Sequence, residues 1–169
     1  MPKKFIKRFM PDPGKIREQK IMRVFGSSLH KPNLWYLNRR SVASAFAVGL
    51  FFAWIPFPFQ MLLAAAGAII FNANLPISVG LVWITNPFTI PPFFAFAYWV
   101  GTVVLNTPEH DFHFEASLEW FTNSMGTIGA PLITGSLICA IVSSLMGYIG
   151  IQLLWRRGIM KRIQQRKNA

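Results

Sequence analysis

The stretch WITNPFTIPP, residues 83–92, interrupts the longest uncharged part of the chain with three prolines and with the polar residues Thr85, Asn86 and Thr89. Proline has no backbone N–H to donate, and the residue before it is driven toward extended geometry. The stretch therefore predicts a break between two helices. What such a break can do depends on the solvent that surrounds it.

The break lies inside a run without Asp, Glu, Lys, Arg or His, residues 41–108, and a second such run follows at residues 120–155. A helix needs about 20 consecutive apolar residues to cross the hydrocarbon core of a bilayer, and soluble domains of this length do not leave such runs without charge. The sequence predicts an all-α integral membrane protein with one compact membrane domain at residues 41–157.

The net charge of +11 is unevenly distributed. Eleven Lys and Arg precede Ser41, six follow Trp155, and none lies between. Basic residues beside membrane spans mark the cytoplasmic side, so both termini are expected in the cytoplasm. The basic segments, residues 1–40 and 158–169, are expected to contact anionic lipid headgroups, and no nucleic-acid partner is expected.

The segment before the first uncharged run is expected to lie at the membrane surface. A cytoplasmic amphipathic helix is expected to start at Asp12 and Pro13, with a soluble cytoplasmic helix as the alternative. Trp35 and Tyr36 are amphipathic rings that suit the headgroup region, and Asn38 can cap the next helix. Arg39 and Arg40 are expected to stay on the cytoplasmic side.

The first uncharged run divides at its prolines into helices too short to cross a bilayer alone. The predicted helices cover Val42–Ile55, Phe59–Phe71, Ile77–Thr85 and Phe93–Leu105. The helix-breaking residues between them are Pro56, Pro58, Pro87, Pro91 and Pro92. Helix, break and helix thus occur twice in tandem, which suggests an internal repeat.

The topology follows from the number of crossings. Residues 107–125 carry four carboxylates and no Lys or Arg, so they are expected outside as an amphipathic segment, and residues 131–155 return as a transmembrane helix. Residues 41–108 must then cross an odd number of times. The favoured solution is a re-entrant hairpin at residues 41–71 and a proline-broken crossing helix at residues 76–105. Three short tilted crossings are the alternative.

The breaks themselves form the candidate substrate-binding site. Pro58 and Pro92 are each predicted to be the first residue of a new helix, whose free N–H groups and positive dipole end would attract an anion. Gln60 beside one break and Thr85, Asn86 and Thr89 beside the other would add neutral hydrogen bonds. Broken helices that meet near the midplane build substrate sites in many transporters. The alternative is that the prolines only shape the fold.

Other kinds of chemistry find little support in the sequence. No catalytic residues, metal site or cofactor are expected, and the protein is not expected to be an enzyme. His110 and His113, with neighbouring carboxylates, could ligate zinc, but a solvated surface segment is the favoured interpretation. The lone cysteine, Cys139, excludes an intramolecular disulfide.

Small residues recur every four positions on two of the predicted helices. These stripes are Ser41, Ala45, Gly49 and Ala53, and Gly135, Cys139, Ser143 and Gly147. Such stripes let helix backbones approach closely in lipid, and a homo-oligomer is one expected consequence.

Several motifs resemble a known bacterial family. PDP at residues 11–13, IRE at 16–18, PNLWYLNRRSVA at 32–43, IPFPFQMLLAA at 55–65, NLP at 74–76 and WITNPFTIPPFF at 83–94 resemble, in this order, domain of unknown function 2062. The resemblance implies a protein of the bacterial inner membrane and brings no established activity. Members of the family often have glycine where this chain has Phe59. Related domains joined to glycosyltransferases suggest envelope lipid or glycan chemistry.

Two functions are therefore expected of a multi-pass membrane protein of this kind. The leading hypothesis is transport or handling of an anionic lipid or lipid-linked precursor, such as a polyprenyl phosphate, at the proline-broken helices. The alternative is a non-enzymatic membrane scaffold that organises envelope-biosynthesis proteins through its small-residue faces.

Overall fold

The computed structural model describes residues 34–57, 59–107 and 128–167, with side chains as far as Gly158. These residues form helices and connecting turns, without any strand. The helices are α1 (Arg39–Ala53), α2 (Gln60–Ile70), α3 (Leu75–Val82), α4 (Ile90–Leu105) and α5 (Gly129–Lys167). The expected N-terminal amphipathic helix, Pro58 and the acidic segment with His110 and His113 lie outside the described residues.

Asn38 and Asn74 fix the starts of α1 and α3 beside each other. Asn38 Oδ1 accepts a hydrogen bond from Ser41 N at 2.7 Å, which confirms the predicted cap. Asn74 is fully buried, and its Oδ1 accepts from Ile77 N at 3.2 Å. Its own N–H donates to Ser41 O at 3.1 Å, and its Nδ2 donates to Tyr36 O at 3.4 Å. A buried asparagine is tolerated here because its polar atoms have partners.

The contacts along α1 set the directions of the next two helices. Ser78 Oγ donates to Ala45 O at 3.4 Å, and a Cβ atom on Gly49 would lie 2.7 Å from Ser78 O and from Leu81 Cβ. Together with the Asn74 contact to Ser41, these pairs advance in the same sense, so α3 runs parallel to α1. The intervening helix α2 runs back along α1, where Gly67 packs against Val48 and Phe52.

Helix α5 packs against α4 near its start and against α1 further along its length. Gly101 of α4 packs against Pro131, and a Cβ atom on Gly135 would overlap with Ala97 O. Further along α5, Gly147 packs against Leu50 and Phe46 of α1. The two helices approach each other where the rings of Trp54 and Phe93 lie 4.7 Å apart. The end of α1 and the start of α4 therefore lie beside the middle of the segment Gly129–Gly158.

That segment of α5 is the one helix, among the described residues, that is long and apolar enough to span a membrane. It has 30 residues; its most apolar window of 18 residues has a mean hydropathy of 2.0, and only 11% of that window is buried. The core helix of a soluble protein of this size would be mostly buried. Helices α2 and α4 are apolar but shorter.

The observed helix bounds differ from the predicted Val42–Ile55, Phe59–Phe71 and Ile77–Thr85 by one to three residues at each end, and three further differences concern α4 and α5. Helix α4 begins at Ile90, so Pro92 is its third residue and not its first, because the turn at residues 86–89 already provides the preceding cap. Helix α5 begins at Gly129, two residues before Pro131. It also continues beyond Trp155 to Lys167, since Arg, Lys and Gln favour helix as well as the apolar residues do.

The tight crossing of α4 and α5 gives a direct test of this packing. Gly135→Ala should lower the free energy of unfolding by at least about 2 kcal/mol, because the new methyl group meets a backbone carbonyl that cannot move away. Gly150→Ala is the matched control on the same helix, since nothing lies within 4 Å of its added Cβ. Unfolding of the purified protein in detergent measures both. Equal effects of the two substitutions would contradict the described crossing.

Candidate functional site

The first break, between α1 and α2, is closed by short-range hydrogen bonds. Ile55 N donates to Phe52 O at 3.2 Å, and Phe57 N donates to Ile55 O at 2.8 Å across Pro56. The side-chain amide of Gln60 also donates to Ile55 O. These bonds satisfy the end of α1 without any contribution from the proline, which has no N–H.

Phe59 joins this break to α2 in an unusual backbone conformation. Its φ of 76° and ψ of 23° are left-handed, and it caps α2 without a side-chain hydrogen bond. Its carbonyl accepts from Leu62 N at 2.8 Å and Leu63 N at 3.2 Å, so the conformation starts the helix. Left-handed geometry costs an L-residue about 1–2 kcal/mol and costs glycine almost nothing.

The second break, between α3 and α4, is a self-capped turn built by Asn86 and Thr89. Asn86 Oδ1 accepts from Phe88 N at 3.0 Å and from Thr89 N at 3.1 Å. In return, Thr89 Oγ1 accepts from Asn86 N at 2.9 Å and donates to Ile84 O at 2.6 Å. Pro87 lies inside this turn, where no N–H is required.

A side-chain hydrogen bond joins the two breaks. Thr85 Oγ1 lies 3.2 Å from Gln60 Oε1 and 2.8 Å from Val82 O, so its single proton is shared between two acceptors. Thr85 is buried, with 8% of its surface exposed. We call residues 54–57, 59–60 and 83–90 together the junction. The structure thus brings Gln60 and Thr85 into contact and places Asn86 and Thr89 in the adjoining turn.

The backbone donors of the junction differ between its two new helices. At α4 the expectation of free N–H groups is wrong: Ile90 N donates to Asn86 O at 2.8 Å, Phe93 N donates to Thr89 O at 3.1 Å, and the two prolines between them have no N–H. At α2 the N–H groups of Gln60 and Met61 find no acceptor among the described residues. An anion would therefore meet free backbone donors at α2 only.

The junction carries large apolar side chains on its outside. Phe57, Phe59 and Trp83 are more than half exposed, and Phe88 is 91% exposed. The polar groups of the junction thus bond to one another, and large aromatic side chains are exposed beside them. Neither a carboxylate nor a histidine occurs in the described ranges, and these ranges contain no cluster of metal-binding side chains. The arrangement suits neutral hydrogen bonding and not acid–base chemistry.

The predicted interfacial residues gather at the opposite end of α1. Arg39, Arg40 and Tyr36 are exposed, and Trp35 is half-buried. The sequence did not indicate that Phe71 and Asn72 would join them. A cavity of about 330 Å³ lies here, lined by Asn38, Arg40, Ser41, Phe71 and Asn72. The polar motif NANLP, residues 72–76, predicts that the chain turns here. It does not predict that this turn packs beside the start of α1 and lines the cavity.

The strained residue at the first break generates a prediction. Phe59→Gly should raise the free energy of unfolding by roughly 0.5–1 kcal/mol, because relief of the left-handed conformation exceeds the entropy that glycine gains in the unfolded chain. Phe57→Gly removes a comparable exposed ring from a residue without positive φ and should destabilise the protein. Unfolding in detergent compares the two variants. Destabilisation by Phe59→Gly equal to that by Phe57→Gly would show that the backbone at residue 59 is not strained.

The comparisons with known proteins agree with the motifs. Residues 22–164 match the family described as "Uncharacterized protein conserved in bacteria (DUF2062)". No curated protein and no solved structure matched the chain. Because the match covers most of the sequence, including both breaks and all five described helices except the last residues of α5, the chain belongs to the bacterial family of domain of unknown function 2062.

Proposed function

We propose that this protein is a multi-pass protein of the bacterial inner membrane that moves an anionic lipid or lipid-linked precursor past the junction. One observation carries the proposal: two half-length helices, α1 and α4, meet beside the middle of an exposed apolar helix of 30 residues. If Gly129–Gly158 crosses the bilayer, the polar junction lies near its midplane. Broken helices at this depth are typical of substrate sites in transporters.

The membrane location is supported by the surface of the described residues. Exposed large apolar side chains occur along α4 and α5 and at the junction, among them Trp99, Val103, Ile141, Leu145 and Met146. A soluble monomer rarely exposes contiguous apolar patches beyond a few hundred Å². In a bilayer the same surface is in contact with lipid chains, and exposure has no cost.

The directions of the helices suggest how the chain crosses. Helices α1 and α2 would form a re-entrant hairpin that turns back at the junction. Helices α3 and α4 together have 24 residues, the sum of 8 and 16, or about 36 Å of helix, enough to cross roughly 30 Å of hydrocarbon with a break between them. Because α5 then runs antiparallel to α4, Arg156 and Arg157 return to the side of Arg39 and Arg40, which basic residues mark as cytoplasmic.

The polar groups of the junction are suited to a transient contact. Most of them are already paired with one another, which keeps the break stable within hydrocarbon. Within the described ranges, the N–H groups of Gln60 and Met61 and the amide nitrogen of Asn86 find no acceptor. A phosphate passing the junction would meet a few hydrogen bonds and no fixed charge, so it would not be held tightly.

The scaffold hypothesis loses its structural basis in the small-residue stripes. Ser41, Ala45, Gly49 and Ala53 are all buried, and α1 turns this face to α3. Gly135 and Gly147 pack against α4 and α1 of the same chain. Faces used for internal packing are not available to a partner, so these stripes do not support a scaffold.

Lipid movement in liposomes tests the proposal with two substitutions at Asn86. Fluorescent phosphatidylglycerol in proteoliposomes should be moved between leaflets by the wild type. Asn86→Ser keeps an oxygen that can cap the turn but removes the free amide, so it should keep the unfolding free energy within about 1 kcal/mol while lowering the rate about fivefold. Asn86→Leu removes cap and amide together and should lower both stability and rate.

Two results would contradict the proposal. The first is a wild-type protein that moves no more lipid than empty liposomes. The second is that Asn86→Ser moves lipid at the wild-type rate, while Asn86→Leu lowers the unfolding free energy without lowering the rate of lipid movement. The second result would mean that the junction shapes the fold and does not contact the lipid.

A further inference from the structure

The cavity at the start of α1 is polar and carries a cation. Arg40 and the side chains of Asn38 and Asn72 line a volume of about 330 Å³, within the range of small-molecule sites. The described residues contain no Asp or Glu, so no described carboxylate neutralises Arg40. The N–H groups of Arg39 and Arg40, the first two of α1, also lack an acceptor among the described residues. The cavity therefore offers positive charge and donors to an anion.

A separate apolar groove lies beside this cavity, between α1 and α5. It encloses about 400 Å³ and is lined on α1 by Ser44, Ala47, Val48, Phe51 and Phe52, and on α5 by Ser144 and Tyr148. Phe71, at the end of α2, lines both the cavity and the groove. From residue 44 to residue 51 the groove follows α1 over about 10 Å at helical rise, toward the junction.

We propose that the cavity and the groove together form a binding site for one anionic phospholipid. The phosphate group would lie in the cavity against Arg40, Asn38 and Asn72, and one acyl chain would lie along the groove past Phe71. The polar part lies at the end of the molecule where Tyr36 and Arg39 are exposed, and the apolar part extends toward the middle of α5. This order of polar and apolar surfaces matches a lipid and does not match a free phosphate or a water-soluble anion.

The site lies at the other end of α1 from the junction and makes no use of the junction residues. It therefore goes beyond the proposed function, because lipid can occupy it at equilibrium whether or not the protein moves lipid across the membrane. Its position would hold a lipid in the leaflet from which α1 starts.

Native mass spectrometry of the full-length protein in detergent tests the site with two neighbouring arginines. Phosphatidylglycerol should bind Arg40→Gln about tenfold more weakly than wild type, because a charge-assisted phosphate contact is lost. Arg39→Gln is the matched control, with the same loss of charge one residue away and outside the cavity lining, and should bind within about twofold of wild type. Phosphatidylcholine with the same acyl chains should bind all three proteins weakly.

The groove is tested by filling it. Ala47→Phe should lower binding of phosphatidylglycerol about tenfold and leave binding of glycerol phosphate, the headgroup alone, unchanged. Ser144→Phe fills the same groove with a ring carried by α5. It replaces Ala47→Phe in the experiment if unfolding in detergent shows that Ala47→Phe does not fold. Loss of affinity with either filled groove supports the proposal.

Three outcomes would overturn the site. Equal losses in Arg39→Gln and Arg40→Gln would indicate a diffuse basic surface. Competition by inorganic phosphate or glycerol phosphate as strong as by the lipid, with no effect of a filled groove, would indicate an anion site without a lipid chain. Loss of affinity in Asn86→Ser but not in Arg40→Gln would place equilibrium binding at the junction and leave the proposed function standing.

Discussion

The whole arrangement depends on how the backbone is satisfied at the two breaks that interrupt its helices. A backbone N–H or C=O without a partner costs several kcal/mol in hydrocarbon, so a break next to an apolar helix has to supply its own partners. Here the partners are side chains from within the breaks. Asn86 and Thr89 cap one turn reciprocally, Gln60 closes the other, and Thr85 bonds to Gln60 across the gap. The first role of the polar residues in the breaks is thus to form the hydrogen bonds that stabilise the interrupted backbone.

Close backbone packing holds the junction in position. Gly101 and Gly135 let α4 lie against α5 at a distance that no side chain would allow, and Gly49 does the same for α1 and α3. Because these contacts involve rigid carbonyl groups, they fix where along α5 each helix can lie. The aromatic pair Trp54 and Phe93 then fills the space between the end of α1 and the start of α4. Function at the junction would depend on this positioning as much as on the polar groups.

The sequence predicted the helices of this fold better than it predicted their contacts. Local rules were sufficient for the cap at Asn38 and for helix breaks near Pro56 and Pro87, because each depends on residues only a few positions apart. The bond between Thr85 and Gln60 joins positions 25 residues apart, and only the packed structure determines it. The same holds for the cavity between Arg40 and Asn72.

Two predictions about the start of α4 were wrong. Pro92 is not the start of α4, because a proline is tolerated anywhere in a first turn and therefore marks the start only to within a few residues. The expected free donors at α4 are absent, since the backbone carbonyls of Asn86 and Thr89 accept from Ile90 N and Phe93 N, and the two prolines between them have no N–H. A small-residue stripe was similarly ambiguous, because the same pattern serves contacts within a chain and contacts between chains.

Depth in the bilayer tests the central claim most directly. A spin label at Phe57 or Phe88, in a Cys139→Ser protein in liposomes, reports its exposure to dissolved oxygen and to a water-soluble nickel complex. We expect both positions to resemble Ile141, in the middle of α5, with high exposure to oxygen and little exposure to nickel. Asn72 should show the reverse. Nickel exposure at positions 57 and 88 as high as at position 72 would place the breaks in water and contradict the account.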